Sequence, residues 1–151
     1  MDAVAVPVSF VELFGRLLLA TLLGALIGLD RESQGKPAGL RTHALVALGA
    51  ATLTIVGLLL QASDTGAPSR VLQGIVAGIG FIGAGVILHR HDGRGIEGLT
   101  TAAAIWIVAA VGVAAGAGLW RTAASVVAVV LLLLVLGERV DRWVHRDQEL
   151  S

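Results

Sequence analysis

Acidic and histidine side chains gather in two short stretches of an otherwise apolar chain. The first is "GLDRESQGKPAGLRTH" (Gly28 to His43), with Asp30, Glu32 and His43; the second carries His89, His91, Asp92 and Glu97. Carboxylates and imidazoles together can bind a divalent cation, and hard oxygen ligands suit magnesium, which keeps several waters and needs only one or two carboxylates. No pair has the spacing of a metal site, however, and Arg31, Arg41, Arg90 and Arg94 stand among them. Salt bridges at a membrane boundary account for the same residues, so no metal site or cofactor is assigned and magnesium binding is kept only as an alternative. Thr42, Thr100 and Thr101 complete the polar cluster as caps or interhelical hydrogen-bonding groups. The sequence has no nucleophile elbow, phosphate-binding loop or zinc-protease motif, and no cysteine for thiolate or disulfide chemistry. The expectation is a protein that is not an enzyme.

The elements that position these groups follow from composition. Hydrophobic residues make up 56% of the 151 and charged residues 15%, with a mean hydropathy of +0.85, whereas soluble domains are about 25% charged. Apolar runs recur at Val8–Leu29, Gly39–Leu60, Val71–Leu88, Gly98–Leu119 and Trp120–Gly137, each close to the roughly 20 residues that cross a bilayer core. The expected fold is all-α: a polytopic bundle of five transmembrane helices over residues 1–137, then a short cytoplasmic tail, 138–151, without a soluble C-terminal domain. "GAGLWR" leaves little room for a loop before the last run, and a tight hairpin is expected there.

Eight Lys and Arg residues flank the first loop, the third loop and the tail, against two, Arg70 and Arg121, on the alternate side. The positive-inside rule then places the N-terminus outside and the tail in the cytoplasm. The opening "MDAVAVPVSF" lacks the basic region of a cleaved signal peptide. A net charge of zero, with cations beside helix ends, gives no sign of nucleic-acid binding.

A shift of 59 residues aligns "GALIGLDR" (Gly24–Arg31) with "GAGVILHR" (Gly83–Arg90), and "GLRTHA" (Gly39–Ala44) with "GLTTAA" (Gly98–Ala103). Residues 16–60 contain twelve identities in this register, without a gap. The repeat implies two pseudo-symmetric helical hairpins, related by an axis along the membrane normal, with a fifth helix added. Both polar loops then lie side by side on the cytoplasmic face, and helices two and four both begin Gly-Leu-x-Thr, presenting unpaired N–H groups and positive dipole ends that attract anions. Asp30 is expected to couple with Arg41 across the first loop.

Two further features concern packing. Helix three reads "GIVAGIGFIGAG", and Gly74, Gly78, Gly80, Gly83 and Ala84 make a small-residue face suited to close contact in the bundle or in a dimer. In helix one, Glu12 precedes Arg16 by four residues, the spacing of an intramembrane ion pair on one helix face.

Four blocks, "RLLLATLLGALIGLDRE", "GKPAGLRTHALVALGAA", "GIVAGIGFIGAGVIL" and "GLTTAAAIWIVAAVG", in this order and spacing over about Arg16 to Gly137, resemble the membrane domain of the MgtC/SapB family of bacterial inner-membrane proteins. The resemblance implies growth at low magnesium, survival of some pathogens inside macrophages, and modulation of other membrane machinery such as ATP synthase and cation ATPases. Asp30 stands where that pattern leads one to expect Glu, and the better-known members continue into a soluble cytoplasmic domain. The functional expectation is a non-enzymatic modulator of membrane ion or energy homeostasis, with magnesium or other cation transport as the alternative. Modulation is preferred because the middles of helices two to five carry no charge, where a transporter would be expected to place ionisable groups. The expected partners are membrane lipid and either a second copy in a dimer or other inner-membrane proteins.

Overall fold

The computed structural model describes residues 9–89 and 96–148. Five helices carry the chain: α1 (Phe10–Ser33), α2 (Leu40–Leu60), α3 (Ala67–Val86), α4 (Leu99–Gly116) and α5 (Trp120–Gln148). All five are long and apolar enough to cross a membrane, so the protein is an all-α membrane bundle. Between α3 and α4 lies one element absent from the sequence reading, a short antiparallel ladder of β1 (Leu88–His89) and β2 (Ile96–Glu97), in which Leu88 faces Glu97 and His89 faces Ile96.

Local chemistry sets the helix ends. The Ser9 hydroxyl accepts from Glu12 N–H (3.2 Å) to open α1. At its other end Gly35 takes a φ of 65°, and Lys36 N–H returns to Arg31 O while Gly35 N–H returns to Glu32 O, both at 3.0 Å. This is the Schellman stop, which needs a left-handed residue that glycine supplies without strain. The same device resolves "GAGLWR": Gly118 has a φ of 80°, with Leu119 N–H bonded to Ala114 O (2.8 Å) and Gly118 N–H to Ala115 O (3.0 Å). The last two runs are therefore separate helices. After Gly137 the charged residues end the apolar span but not the helix, so the segment read as a tail continues α5 to Gln148. No proline interrupts it.

Helix α4 is the hub, in contact with each of the other four. Half of its span is buried, against 6% of α3. One apolar cluster joins Leu23 and Ile27 of α1, Ala47 and Ala51 of α2, Val108 and Val111 of α4, and Val127 of α5; a second seats Ile75 and Ile79 of α3 on Ala50, Ile105 and Ala109.

The closest helix contacts are not where the glycine-rich α3 suggested. A Cβ on Gly24 would lie 2.7 Å from His43 O, and one on Gly28 2.6 Å from Leu40 Cα; on α4, Gly112 and Gly116 would meet Ala47 O at 2.3 Å and Ala51 O at 2.6 Å. Two four-residue glycine pairs thus clamp α1 and α4 onto the backbone of α2. By contrast, Gly74, Gly78 and Gly80 have nothing within 4 Å, Ala84 is exposed, and a Cβ on Gly83 would be in ordinary contact with Ala102 at 3.6 Å. Helix α3 packs through its isoleucines, which leaves most of its glycines facing outward within a single chain.

The repeat is visible in these contacts. Gly24 meets His43 and Gly83 meets Ala102; Gly28 meets Gly39, and Gly98 meets Ile87. Each pair maps onto its counterpart by the same 59-residue shift, so α1–α2 and α3–α4 are corresponding hairpins.

Candidate functional site

Both hairpin connections meet at one end of the bundle. The chain reverses from α1 to α2 through Gln34–Pro37 and enters α4 through Glu97–Thr101, and these segments line a shared cleft of about 440 Å³. The described parts of the two polar loops, Gln34–Pro37 and Glu97–Thr101, therefore lie together, while residues 90–95 of the second loop lie outside the described residues.

On the α1 side, Arg31 is 98% buried, with 2% of its surface exposed. Its guanidinium is held by Asp30, with Nη2 to Oδ2 at 2.8 Å and Nε to Oδ2 at 3.1 Å, and Nη2 also donates to Gln34 Oε1 at 2.6 Å. A charge withdrawn from water demands such pairing. Asp30 thus pairs with its neighbour Arg31 and not with Arg41, whose side chain is exposed; the last turn of α1 turns Arg31 inward, whereas Arg41 sits on the outer face of α2.

Glu32 has a different task. Its Oε2 accepts from Leu40 N–H at 2.9 Å, so an internal carboxylate closes the positive start of α2. Gly39 makes room for it, since a Cβ there would meet Oε2 at 2.8 Å. One turn on, His43 is fully buried and its Nδ1 lies 2.9 Å from Gly39 O. A carbonyl can only accept, so Nδ1 carries the proton and Nε2 presents a lone pair, which has no partner.

The α4 side is built on the same plan, but no side chain among the described residues caps it. Its N-cap, Gly98 (φ 90°), offers no side chain, and the helical ladder begins with Ala102 N–H to Gly98 O at 2.8 Å. Thr100 is exposed and Thr101 is 2% exposed, both lining the cleft. Thr42, the repeat counterpart of Thr101, is half-buried on α2. Arg90, His91, Asp92 and Arg94 lie outside the described residues. Among the described residues no group of three or more His, Asp or Glu side chains could hold a metal.

At the opposite end, the expected Glu12–Arg16 pair forms, and Arg16 does more: Nη1 donates to Gly116 O at 3.0 Å. The guanidinium thereby satisfies a carbonyl in the last turn of α4 and ties the α4–α5 turn to α1. Gly118 gives it space, since a Cβ there would meet Nη2 at 3.0 Å.

Three site features escaped the sequence reading. Gln34 is signalled only by standing three residues after Arg31. Lys36 counted there solely as a topology charge. The clamp glycines were legible as the four-residue spacings in "GALIG" and "GVAAG", but the denser glycines of α3 drew attention from them.

Five membrane-crossing helices in two repeated hairpins, with a polar cleft at one end, define a multi-pass membrane protein with a polar terminal site. The chain belongs to the MgtC family, which it matches over residues 17–143. Among its relatives, Protein SrpB of Synechococcus elongatus is 44% identical over 146 residues (89% of this chain, 80% of that one), and Protein MgtC of Brucella abortus is 49% identical over 116 residues (77% and 46%). YhiD of Escherichia coli K12, named as a candidate magnesium transporter, is 43% identical over 131 residues (83% and 59%). The chain thus spans between about half and four-fifths of the length of these relatives. No solved structure matches it.

Proposed function

We propose that this chain is a non-enzymatic regulator in the bacterial inner membrane, acting on ion or energy homeostasis when magnesium is scarce. The observation that carries this reading is the seam between the hairpins. An ion path between the repeats would run along α2 and α4, and there Gly112 and Gly116 bring helix backbone against Ala47 O and Ala51 O so closely that even a Cβ would not fit. The clusters flanking that seam are wholly apolar, and the described ionisable side chains of the spans stand near helix ends. Charged groups at the end of a bundle suit recognition better than permeation.

The positive-inside count supports an N-terminus outside and the cleft in the cytoplasm. The link to magnesium is supported by family membership and by the name that YhiD carries. Partners in this reading are membrane lipid and either a second copy or another inner-membrane protein. The outward face of α3 and the apolar furrow of about 390 Å³ between α2 and α3 offer the surface for such helix contact.

The test is flux. Purified full chain in liposomes, assayed for magnesium, sodium and proton movement, should match protein-free liposomes, while deletion of the gene should slow growth at low magnesium. Magnesium flux that rises with the amount of protein would overturn the regulator in favour of a transporter.

A further inference from the structure

We propose that the open start of α4 is a binding site for a phosphate group, held by the first-turn N–H groups of α4, the Thr101 hydroxyl and Lys36. The site does not depend on the regulatory reading above.

The first observation is an internal comparison. Helices α2 and α4 start alike, at Gly39-Leu40 and Gly98-Leu99, and each start leaves N–H groups outside the helical ladder, where the macrodipole is positive. At α2 the protein supplies the anion itself, Glu32 Oε2 on Leu40 N–H at 2.9 Å. At α4 no side chain among the described residues caps the helix, and the position 59 residues beyond Glu32 is His91, which is not a carboxylate. Leu99, Thr100 and Thr101 keep their N–H groups free of the ladder, which begins at Ala102.

The second observation is independent of the helix end. Thr101 is 98% buried, yet its hydroxyl makes no hydrogen bond among the described residues, in contrast to Thr21, Thr52 and Thr54, which each bond a carbonyl one turn back. That hydroxyl is not among the fully enclosed polar atoms without partners, so the small accessible remainder of Thr101 includes it and opens on the cleft that the residue lines. A nearly buried donor without a partner, aimed into a cavity, is the mark of an absent ligand.

The third is the shape and charge of the space. About 440 Å³ accommodates a phosphate and its ester group, and Lys36 lies on the opposite wall, exposed and free to swing inward. Gln34, fixed from behind by the buried Arg31, adds a further amide. Glu97 also lines the cleft, where it is exposed and engaged in an interaction of its own. A tetrahedral oxyanion accepting from successive backbone N–H groups, a hydroxyl and an ammonium matches these donors. Such a group reaches a membrane protein either as a lipid headgroup or as a free anion.

The experiment uses the full chain, delipidated in a phosphate-free maltoside detergent, titrated calorimetrically with inorganic phosphate and with short-chain phosphatidylglycerol. Saturable binding of at least one is expected. Tighter lipid binding assigns the site to a headgroup, and tighter phosphate binding to a free anion. Thr101→Val, which removes only the hydroxyl, should weaken binding about tenfold, and Thr101→Ser should retain it. Lys36→Glu, a change on an exposed loop that leaves the fold intact, should weaken binding at least as much even if Thr101→Val disturbs folding. Absence of saturable binding with both probes, or wild-type binding by Lys36→Glu, would overturn the site.

Discussion

The two hairpins share a sequence register and a contact pattern but are finished differently. In the first, a glycine pair seats α1 on α2, Glu32 closes the start of α2, and Asp30 and Gln34 hold Arg31. In the second, α3 packs through isoleucines, most of its glycines face outward, and no side chain among the described residues caps the start of α4. One copy of the repeat thus closes its returning helix with its own carboxylate and serves as scaffold, while the other keeps donors in reserve. A repeat permits this division, since a single stable copy can hold the register for both.

The most severe way to break the comparison is at the seam. Gly112→Leu would drive a side chain into Ala47 O, where even a Cβ sits at 2.3 Å, and overpacking costs about 1–3 kcal/mol when neighbours can yield and more when they are backbone. Loss of folded yield in detergent is expected. Gly78→Leu, with open space around Gly78, should fold as the wild type. Equal yields from the two would dissolve the contrast between clamped and outward glycines. Next in size, Asp30→Asn removes the charge from the carboxylate that holds the buried Arg31 and should cost about 2 kcal/mol, measured by unfolding in mixed micelles. Arg41→Gln should stay within about 0.5 kcal/mol. A cost for Arg41→Gln as large as that for Asp30→Asn would restore the coupling across the first loop that the sequence suggested.

The expectation of five spans, their order and the repeat was legible because lipid imposes a length and a hydropathy on every crossing, and because a gapless shift preserves contacts as well as letters. The pairing inside the cleft was less legible. Asp30 could face Arg31 or Arg41 by sequence distance, and only the rotation of the last α1 turn, which buries Arg31, decides between them. Glycine spacing misled for a related reason. A four-residue period states that a face is small but not which neighbour, if any, lies against it, so α3 looked like the packing helix while α1 and α4 carry the clamps. The buried states of Thr101 and His43 had no sequence signal, since the same residues in the same turn could have faced solvent.

A smaller change sharpens the contrast between the two helix starts. Glu32→Ala removes the carboxylate from Leu40 N–H and from the α2 dipole, and should cost about 1 kcal/mol. Thr101→Val removes no existing bond and should leave stability unchanged while reducing phosphate binding. If Thr101→Val destabilises the bundle as much as Glu32→Ala does, the α4 start is a structural element like its counterpart and not an open site.

A last contrast concerns His43, which occupies the place that Ala102 takes in the second hairpin. Its Nδ1–H bonds Gly39 O, a carbonyl that already accepts from His43 N–H at 3.2 Å, so the side-chain bond adds little to satisfaction of the backbone. Its Nε2 is buried without a partner, and an unmet acceptor carries a desolvation cost that an apolar side chain of similar size removes. The gain and the loss oppose each other. His43→Leu should therefore fall within about 1 kcal/mol of wild type, with unfolding in mixed micelles as the measurement. Loss of low-magnesium growth by this stable variant would show that the lone pair of His43 is kept for function. A strongly destabilised variant would instead place the histidine among the first hairpin's structural parts, beside Arg31 and Glu32.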